Sequence, residues 1–356
     1  MKIVHVVYAF DLGGIETMLV NIVNEQVSLG HDISIICLND LVNKELREAI
    51  DERVNFCCIG RPLGSKNPYY IFKFNYKIYK SNADIIHVHS PSLIKYFILH
   101  SLKNRTCVTR HDVSNIVEQR YLTKYVKAFS ISEAVKNDIY TSVGVDSTIV
   151  LNGINISKIR STISLKRGPV FKILHISRLI HQKKGQHILI EAIKRVKDRG
   201  YKVSVDFIGE GPSFDYLTEL IKKLELENEV KLIGAKSQQY IFEHLCEYDL
   251  FVQPSIFEGF GLTVAEAMAA KVPVLVSENQ GPLEIIDNGK YGYSFKNGDA
   301  EDCANKIIEI IEQGVDSNMI EAAYKRVEEN YSVKQTAINY INEYKAILES
   351  NKHKNV

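Results

Sequence analysis

Two glutamates stand eight positions apart in the run Glu258-Gly-Phe-Gly-Leu-Thr-Val-Ala-Glu266. The residues before them, 249–255, are typical of a buried strand, and those after them have the pattern of a helix. A strand, a glycine-rich loop and a helix start present backbone N–H groups to an anion. The two carboxylates would accept hydrogen bonds from hydroxyls. The block indicates a ligand with both phosphate and hydroxyl groups, although the helix dipole alone also favours a glutamate there.

A second group of charged residues follows another predicted strand, at 171–176. Arg178 and Lys183 lie between that strand and a predicted helix. Two cations at the carboxyl edge of a parallel sheet can hold a diphosphate, because arginine donates in a bidentate fork and lysine adds a point charge. A departing diphosphate needs such charges, since its negative charge grows as the bond to it breaks. A solvated loop is the alternative explanation.

Glycines and histidines follow predicted strands in the first half of the chain. Gly13 and Gly14 let the backbone approach a ligand before a helix begins, although a plain tight turn also explains the pair. His111 follows a strand and would either hydrogen-bond a ligand hydroxyl or be structural. His87 and His89 stand two positions apart, but the sequence shows no third ligand for a metal.

No Asp-x-Asp triplet occurs in the chain. Transferases that hold a diphosphate through a divalent cation commonly carry such a pair. The sequence therefore favours cationic side chains and helix dipoles over Mg²⁺ or Mn²⁺, and we expect no metal and no other cofactor.

Composition limits the class of protein. The 356 residues are too many for one ordinary core, so we expect two domains. The net charge of +1 argues against a nucleic-acid binder. Residues 1–170 nevertheless carry +6 and residues 171–356 carry −5, so the first half suits an anionic surface or acceptor. Six cysteines without a CxxC spacing indicate buried reduced thiols. With no signal peptide and no long apolar run, we expect a cytoplasmic protein.

Short Ile- and Val-rich runs alternate with helical patterns, which predicts an α/β protein with doubly wound parallel sheets. The predicted strands are 2–7, 33–38, 54–57, 84–88, 106–109, 127–131 and 148–151, then 171–176, 203–208, 230–233, 250–252 and 272–276. The main predicted helices are 15–29, 132–140, 185–197, 212–224, 263–270, 300–312 and 333–348. Residues 152–170 resemble a linker. We therefore predict Rossmann-like domains at 1–165 and 166–331, followed by a helix at 332–356, with ligands in a cleft between two sheets.

Together, Arg178 with Lys183, the Glu258–Glu266 block and Gly13-Gly14-Ile-Glu16 resemble glycosyltransferase family 4, the retaining transferases of GT-B type. The resemblance covers nearly the whole chain. It implies two Rossmann-like domains with parallel sheets facing across a cleft. It also implies transfer of a sugar from a nucleotide sugar, with UDP as the expected carrier, to a glycan or lipid-linked acceptor. Front-face substitution assisted by the donor's phosphate would explain the lack of a convincing nucleophile arrangement.

The same resemblance implies roles for individual residues. Glu266 would bind the ribose hydroxyls, and Glu258 would lie beside the donor sugar. Arg178 and Lys183 would neutralise the diphosphate, and His111 would contact the sugar. The other donor-binding positions are Gly13, Gly14, Gly209, Phe260, Gly261, Leu262 and Thr263. The final helix would pack back on the first domain.

Two departures from the family pattern affect the site. The family usually has glycine directly after its lysine, whereas Lys184 stands between Lys183 and Gly185, so either lysine could be the functional one. A later loop often has two glycines before a glutamate, and here it reads Gln280-Gly-Pro-Leu-Glu284.

The acceptor side is suggested by residues 66–80, which are aromatic and basic. Lys73, Lys77 and Lys80 share one helical face, and a second helix-like stretch at 92–102 carries further charge nearby. Such a surface suits an anionic inner membrane leaflet, where lipid-linked acceptors would be found. An ordinary helix with a solvated lysine face is the alternative. Abundant Lys, Ile and Asn hint at a bacterial origin and at surface polysaccharide synthesis, such as O-antigen or capsule.

The sequence leaves three alternative functions to compare with sugar transfer, and two of them are disfavoured. A nucleotide-sugar 2-epimerase of the same layout would need no acceptor. An NAD-dependent oxidoreductase is disfavoured because GxGxxG and its following acidic residue are missing. A non-catalytic partner that binds a nucleotide sugar is disfavoured by the intact charged residues.

Overall fold

The computed structural model describes residues 1–11, 13–111, 120–162, 168–278 and 281–353. The chain forms two compact units. The first comprises Met1–Gly153 and the segment from Ser332 onward, and the second comprises Ile154–Tyr331. The second unit is thus inserted between two parts of the first. Residues 154–162 belong to the second unit, whereas the sequence-based boundary grouped them with the first.

The first unit contains a seven-stranded sheet whose strands run parallel in the order β3-β2-β1-β4-β5-β6-β7. Its strands are β1 Lys2–Val7, β2 Asp32–Asn39, β3 Asn55–Arg61, β4 Ile85–Val88, β5 Thr106–Arg110, β6 Lys127–Ser130 and β7 Thr148–Ile149. Its first helices are α1 Gly14–Ser28, α2 Lys44–Glu48, α3 Pro68–Ser81, α4 His100–Lys103 and α5 Glu133–Val143, with 3₁₀ turns at Pro91–Tyr96 and Leu122–Lys124.

The second unit contains a six-stranded parallel sheet in the order β10-β9-β8-β11-β12-β13. Its strands are β8 Phe171–Ile176, β9 Val203–Ile208, β10 Val230–Leu232, β11 Leu250–Gln253, β12 Val274–Ser277 and β13 Tyr293–Phe295. Its helices are α6 His181–Lys184, α7 Gln186–Asp198, α8 Phe214–Lys223, α9 Gln238–His244, α10 Leu262–Ala269, α11 Gly281–Ile285, α12 Ala300–Gln313 and α13 Ser317–Asn330, with 3₁₀ turns at Ile156–Lys158 and Leu245–Glu247.

The last helix, α14 (Val333–His353), belongs to the first unit. Tyr340 and Tyr344 are fully buried in the core of that unit, together with residues of α1 such as Leu19 and Val23. The hydroxyl of Thr336 also donates to the carbonyl of Leu151 at 2.8 Å. The helix therefore completes the core of the first unit.

The strand order reverses at one place in each sheet, between β1 and β4 and between β8 and β11. Ligands of open parallel sheets bind outside the carboxyl ends of the strands at such a reversal. The loops after β8 and β11 therefore leave the sheet side by side, as do those after β1 and β4. Both sheets are buried on their two faces, which accounts for the continuous Val- and Ile-rich runs in the strands.

The predicted α/β class with two parallel sheets is confirmed, and several expectations about elements need correction. The predictions omitted β13 and α13. The expected helix over 92–102 is divided between a 3₁₀ turn and the short α4. The side chain of Asn75 fixes this break, because it accepts from the amide of Ile98 at 2.9 Å and donates to the carbonyl of Tyr96 at 2.7 Å.

The six cysteines are free, as expected, but Cys57 and Cys58 are only partly buried. None of the helices in the described ranges combines the length and the hydropathy of a membrane-spanning segment.

Candidate active site

A buried hydrogen-bond network fixes the loop after β8. His175 donates to the carbonyl of Val252 at 2.8 Å, and its other ring nitrogen lies 2.7 Å from the hydroxyl of Ser177. The side-chain amide of Gln186 donates to that hydroxyl at 2.9 Å and to the backbone carbonyl of Arg178 at 3.0 Å. Burial lowers the pKa of His175 to about 4, so the ring is neutral at pH 7. The network positions the backbone from which Arg178 extends.

The guanidinium of Arg178 is exposed and has no ion-pair partner within the described parts of the chain. The side chain of Lys183 is half-buried and likewise has no hydrogen-bond or ion-pair partner among those residues. The carbonyl of Lys183, however, accepts from the amides of Ile256 and Phe257 at 2.9 and 3.0 Å. These two bonds tie α6 to the loop after β11.

That connection brings Lys184 to Glu258. The ammonium of Lys184 donates to the Glu258 carboxylate, and the two side chains keep 18% and 15% of their exposure. Glu258 Oε2 also accepts from the amide of Gln253 at 3.3 Å and from the hydroxyl of Ser255 at 3.4 Å. Because the pair is mostly removed from solvent, the loss of either charge would leave the other poorly compensated.

Glu266 lies on α10, after a turn that only glycine fits. Gly261 precedes the helix with φ of +97°, and a Cβ there would lie 2.8 Å from Cγ of Pro282. Gly261 has no side chain that could cap the helix, and the backbone amides of Leu262 and Thr263 have no acceptor among the described residues. Phe260 is buried, and its ring packs against Tyr331 at 5.7 Å. Leu262 and Thr263, in the first turn, are half-buried.

The carboxyl group of Glu266 is buried without a charged or hydrogen-bonding partner among the described residues. Burial raises the pKa of this group to about 8. A buried polar group normally has a hydrogen-bond partner, and Glu266 lacks one in the described chain. A ligand with hydroxyl groups would supply the missing hydrogen-bond donors.

The expected donor-binding glycine Gly209 allows two loops to meet. It has φ of +142°, and a Cβ there would lie 2.0 Å from the carbonyl oxygen of Ser177. Gly185 has φ of +68°, and its Cβ would lie 1.9 Å from the carbonyl oxygen of Pro254. Both glycines therefore hold the loop after β8 against its neighbours, and they act on the site through backbone packing.

In the first unit, Gly13 and Gly14 stand between β1 and α1. A Cβ on Gly13 would lie 2.6 Å from Oε2 of Glu16, whereas one on Gly14 would have no atom of a described residue within 4 Å. The described part of the chain therefore leaves room above Gly14. Burial, with a smaller contribution from Asp11, raises the pKa of Glu16.

His111 ends a row of three imidazoles in the first unit. His5 on β1 pairs with His87 on β4, and His89 lies one residue past that strand. Nδ1 of His89 lies 3.2 Å from Nε2 of His111, and Nε2 of His89 lies 3.0 Å from Nδ1 of His5. The row continues to Oε1 of Gln26 at 2.8 Å from Nε2 of His5.

Nothing in the sequence indicated that His5 lies beside the other histidines, or that the hydroxyls of Tyr340 and Tyr344 lie near this cluster. The hydroxyl of Tyr344 lies 2.6 Å from Nδ1 of His87, and that of Tyr340 lies 2.9 Å from the hydroxyl of Thr109. The contact between His5 and His87 could have been predicted from the doubly wound topology, because β1 and β4 are neighbours in such a sheet and their histidines then lie side by side.

Nitrogens of His5, His87 and His89 lie within 4.8 Å of one another, so the third metal ligand that the sequence lacked is present. The fit to a metal is nevertheless poor. Both ring nitrogens of each histidine already contact a protein hydrogen-bonding atom. A metal would have to displace these partners.

Comparison with known families covers both units. The family described as "Glycosyl transferases group 1" matches residues 158–326, and "Glycosyltransferase Family 4" matches residues 12–158. Two adjacent parts of the chain thus match models of glycosyltransferase families, in agreement with the resemblance that the sequence showed, and the two parallel sheets are of the GT-B type.

Curated relatives match parts of the chain, and two of them serve as examples. A putative colanic acid biosynthesis glycosyltransferase, WcaL of Salmonella typhimurium, is 29% identical over 48% of this chain and 44% of its own length. A sucrose synthase of Melioribacter roseus is 39% identical over 33% of this chain and 16% of its own length. The matches thus span less than half of these relatives.

Solved structures match nearly the whole chain, and two of them serve as examples. A glycosyltransferase from Rickettsia africae has a TM-score of 0.81 at 25% identity, with 98% of both chains covered. Anabaena HepE, solved in complex with UDP and glucose, also has a TM-score of 0.81, at 20% identity, with 97% of this chain and 100% of HepE covered. The second likeness concerns the fold alone.

Proposed function

We propose that the protein is a retaining glycosyltransferase that moves a sugar from a UDP-sugar to a glycan or lipid-linked acceptor. The observation that carries the proposal is the contact of Lys184 with Glu258 at the reversal of strand order in the second unit. Arg178, which has no ion-pair partner among the described residues, precedes Lys184 in the segment that follows β8. Cations beside a hydrogen-bonded carboxylate suit a diphosphate that is joined to a sugar. The UDP-bound structure of HepE, a protein of the same fold, supports UDP as the carrier.

In this proposal, Arg178 and Lys184 hold the diphosphate. Arg178 has no protein partner in the described ranges and extends from a fixed backbone. Lys184 lies beside Glu258 and would share its protons between that carboxylate and a phosphate oxygen. Lys183 has no such contact, so we assign the phosphate-binding role to Lys184. The uncapped first turn of α10, at Leu262 and Thr263, would add backbone amides.

Glu266 would bind the ribose. Two vicinal hydroxyls can donate to one carboxylate, and the buried Glu266 lacks any other donor among the described residues. Glu258 would orient the sugar through its hydroxyls. In the first unit, we assign the sugar contact to His111 and the close backbone approach to Gly13 and Gly14.

The chemistry would be substitution at the anomeric carbon on one face. The bond from that carbon to the β-phosphate oxygen breaks, and its electron pair stays on the phosphate. The acceptor hydroxyl oxygen bonds to the same face, and its proton passes to an oxygen of the leaving diphosphate. Catalysis would come from positioning and from stabilising the negative charge that develops on the leaving group. We propose that no metal is needed.

The acceptor would be reached through α3. Tyr69, Phe72, Tyr76 and Tyr79 form a stripe along this helix and are between 58% and 63% exposed. Residues 54–83 contain five basic and no acidic side chains. Exposed aromatics beside lysines suit the interface of an anionic membrane, where a lipid-linked acceptor would be found. We propose that the protein acts there, at the cytoplasmic face, in the synthesis of a bacterial surface polysaccharide.

The test is to incubate the protein with a panel of sugar nucleotides, with and without lipid extracts, and to measure nucleoside diphosphate release. We expect release with one UDP-sugar that increases with a suitable acceptor, and an α-linked product from an α-linked donor by NMR. An altered sugar formed from the donor alone would instead identify a 2-epimerase. An inverted linkage would exclude the retaining mechanism.

A further inference from the structure

The row Gln26–His5–His89–His111 is a continuous hydrogen-bond chain through the core of the first unit. The three distances are 2.8, 3.0 and 3.2 Å, and the first three residues are at most 5% exposed. Nδ1 of His111, at the far end, is buried and has no partner among the described residues. The chain thus ends on an unsatisfied ring nitrogen.

The direction of the donors along this chain follows from its first member. An amide oxygen can only accept, so Nε2 of His5 carries the proton in the bond to Gln26. A neutral imidazole has one donor and one acceptor, so Nδ1 of His5 accepts from Nε2–H of His89. By the same step, Nδ1 of His89 accepts from Nε2–H of His111. Nδ1 of His111 is then an unprotonated acceptor.

The argument requires neutral rings, and burial supplies that condition. It lowers the pKa of His5 to about 4 and that of His111 to about 3, and it holds the pKa of His89 well below the usual value. A positively charged ring would donate from both nitrogens and would break the chain.

We propose that Gln26, His5 and His89 are positioning residues that hold His111 as its Nε2–H tautomer, so that Nδ1 accepts a hydrogen bond from a hydroxyl group. A ligand group at this nitrogen must donate. A sugar hydroxyl can do so, whereas a carboxylate or an ionised phosphate cannot. The inference about the ligand depends on the proposed function, but the tautomer itself does not.

The tautomer can be read directly by two-dimensional ¹⁵N NMR of protein labelled at its histidines, near pH 7. The signal of His111 is assigned by its loss in His111→Gln. We expect His111 to show a protonated Nε2 and an unprotonated Nδ1. A protonated Nδ1 in the wild-type protein, or a mixture of both forms, would overturn the proposal, whether or not sugar transfer is observed.

The variant Gln26→Leu removes the amide oxygen that determines which ring nitrogens donate along the hydrogen-bond chain. We expect both tautomers of His111 to appear, and the KM for the donor to rise about tenfold with little change in kcat, since one neutral hydrogen bond is affected. Gln335→Leu makes the same substitution on α14 and should change neither. If Gln26→Leu leaves His111 in one tautomer, the chain does not act as proposed; if that variant does not fold, the wild-type spectrum still decides.

Adding zinc tests whether the histidines form a hydrogen-bond chain or a metal site. Addition of Zn²⁺ to metal-free protein should leave the signals of His5, His87 and His89 unchanged. Stoichiometric binding that removes the ring N–H protons would overturn the proposal and identify a three-histidine centre.

Discussion

The ammonium of Lys184 contacts the carboxylate of Glu258 across 74 positions of sequence. The two residues lie in the segments that follow the neighbouring strands β8 and β11, where the strand order of the second sheet reverses. The contact joins the two charged groups that stand out in the sequence. It also distinguishes Lys184 from the adjacent Lys183, whose side chain has no such partner in the described chain.

The two lysines should differ in their effect on transfer. Lys184→Ala should lower kcat about 10²- to 10³-fold, since it removes a charge that stabilises the leaving diphosphate. Lys183→Ala should change kcat less than about tenfold, because its half-buried ammonium has no carboxylate partner in the described chain and contributes only to the electrostatic potential around the site. Nucleoside diphosphate release measures both. Lys197→Ala, which breaks the ion pair with Glu229 in the same unit, is the control. A larger loss in Lys183→Ala would reverse the assignment.

The binding of UDP should tighten as the pH rises towards 8. Without ligand, the pKa of Glu266 is about 8, so the group is protonated at pH 6. Ribose hydroxyls donate to the ionised form, so binding must release the proton and should strengthen by up to about tenfold per pH unit below the pKa. Calorimetry between pH 6 and 9 measures this slope. Glu266→Gln should bind more weakly and lack the part of the slope due to this group; an unchanged slope in that variant would contradict the assignment.

The same group should affect stability in the absence of nucleotide. Its folded pKa lies above the unfolded value of 4.5, so the folded protein binds the proton more tightly. The resulting stabilisation is complete below pH 4.5 and is lost as the pH rises to about 8, by a few kcal/mol at most, since one unit corresponds to about 1.4 kcal/mol. Urea unfolding of the wild type and Glu266→Gln at pH 5 and 8.5 tests this. Equal pH dependence of the two proteins would refute it.

Gly185 should tolerate alanine much less well than Gly144. Both glycines end helices with nearly equal φ, +68° and +66°. A Cβ at Gly185 would lie 1.9 Å from a carbonyl oxygen, whereas one at Gly144 would have no atom of a described residue within 4 Å. Gly144→Ala should cost about 1 kcal/mol for the backbone conformation alone. Gly185→Ala should cost at least about 2 kcal/mol more and should impair transfer, because α6 carries Lys184. Thermal unfolding and diphosphate release measure the two effects, and similar costs would show that the close contact can relax.

The exposed face of α3 should bind anionic vesicles. Lys77→Glu with Lys80→Glu should reduce co-sedimentation with such vesicles by about tenfold or more, since each lysine contributes about 1 kcal/mol near the surface. Lys73→Gln is the control, because its ammonium is already bound to the carbonyl of Ile59 at 2.8 Å. Binding that is insensitive to the double change would remove α3 as the contact. Diphosphate release with a water-soluble acceptor should be retained.

Much of the fold could be predicted because hydrophobic runs mark buried parallel strands. Strands β1, β8 and β9 agree with the predictions at both ends. The strand β13 was missed because Tyr293–Phe295 is short and half-buried. The helix α13 buries only Ile320, Ala323 and Val327, which is too narrow a stripe to stand out.

The site was predicted less completely, for a physical reason. Residue types indicated a diphosphate, but the direction of a side chain depends on the tertiary contacts of its backbone. The choice of Lys184 follows from two hydrogen bonds to the carbonyl of Lys183, which the sequence does not encode locally. The roles expected for Glu258, Glu266 and Arg178 stay predictions.

The insertion of one unit within the other sets an order for biosynthesis. The ribosome releases the β7 end of the first unit long before it makes Tyr340 and Tyr344, which fill the core around His87. Until then the nascent first unit lacks its final layer, while the inserted unit has all of its strands. A stop codon just before Val333 should therefore yield a chain that chaperones retain, even though every proposed phosphate-binding residue has been translated.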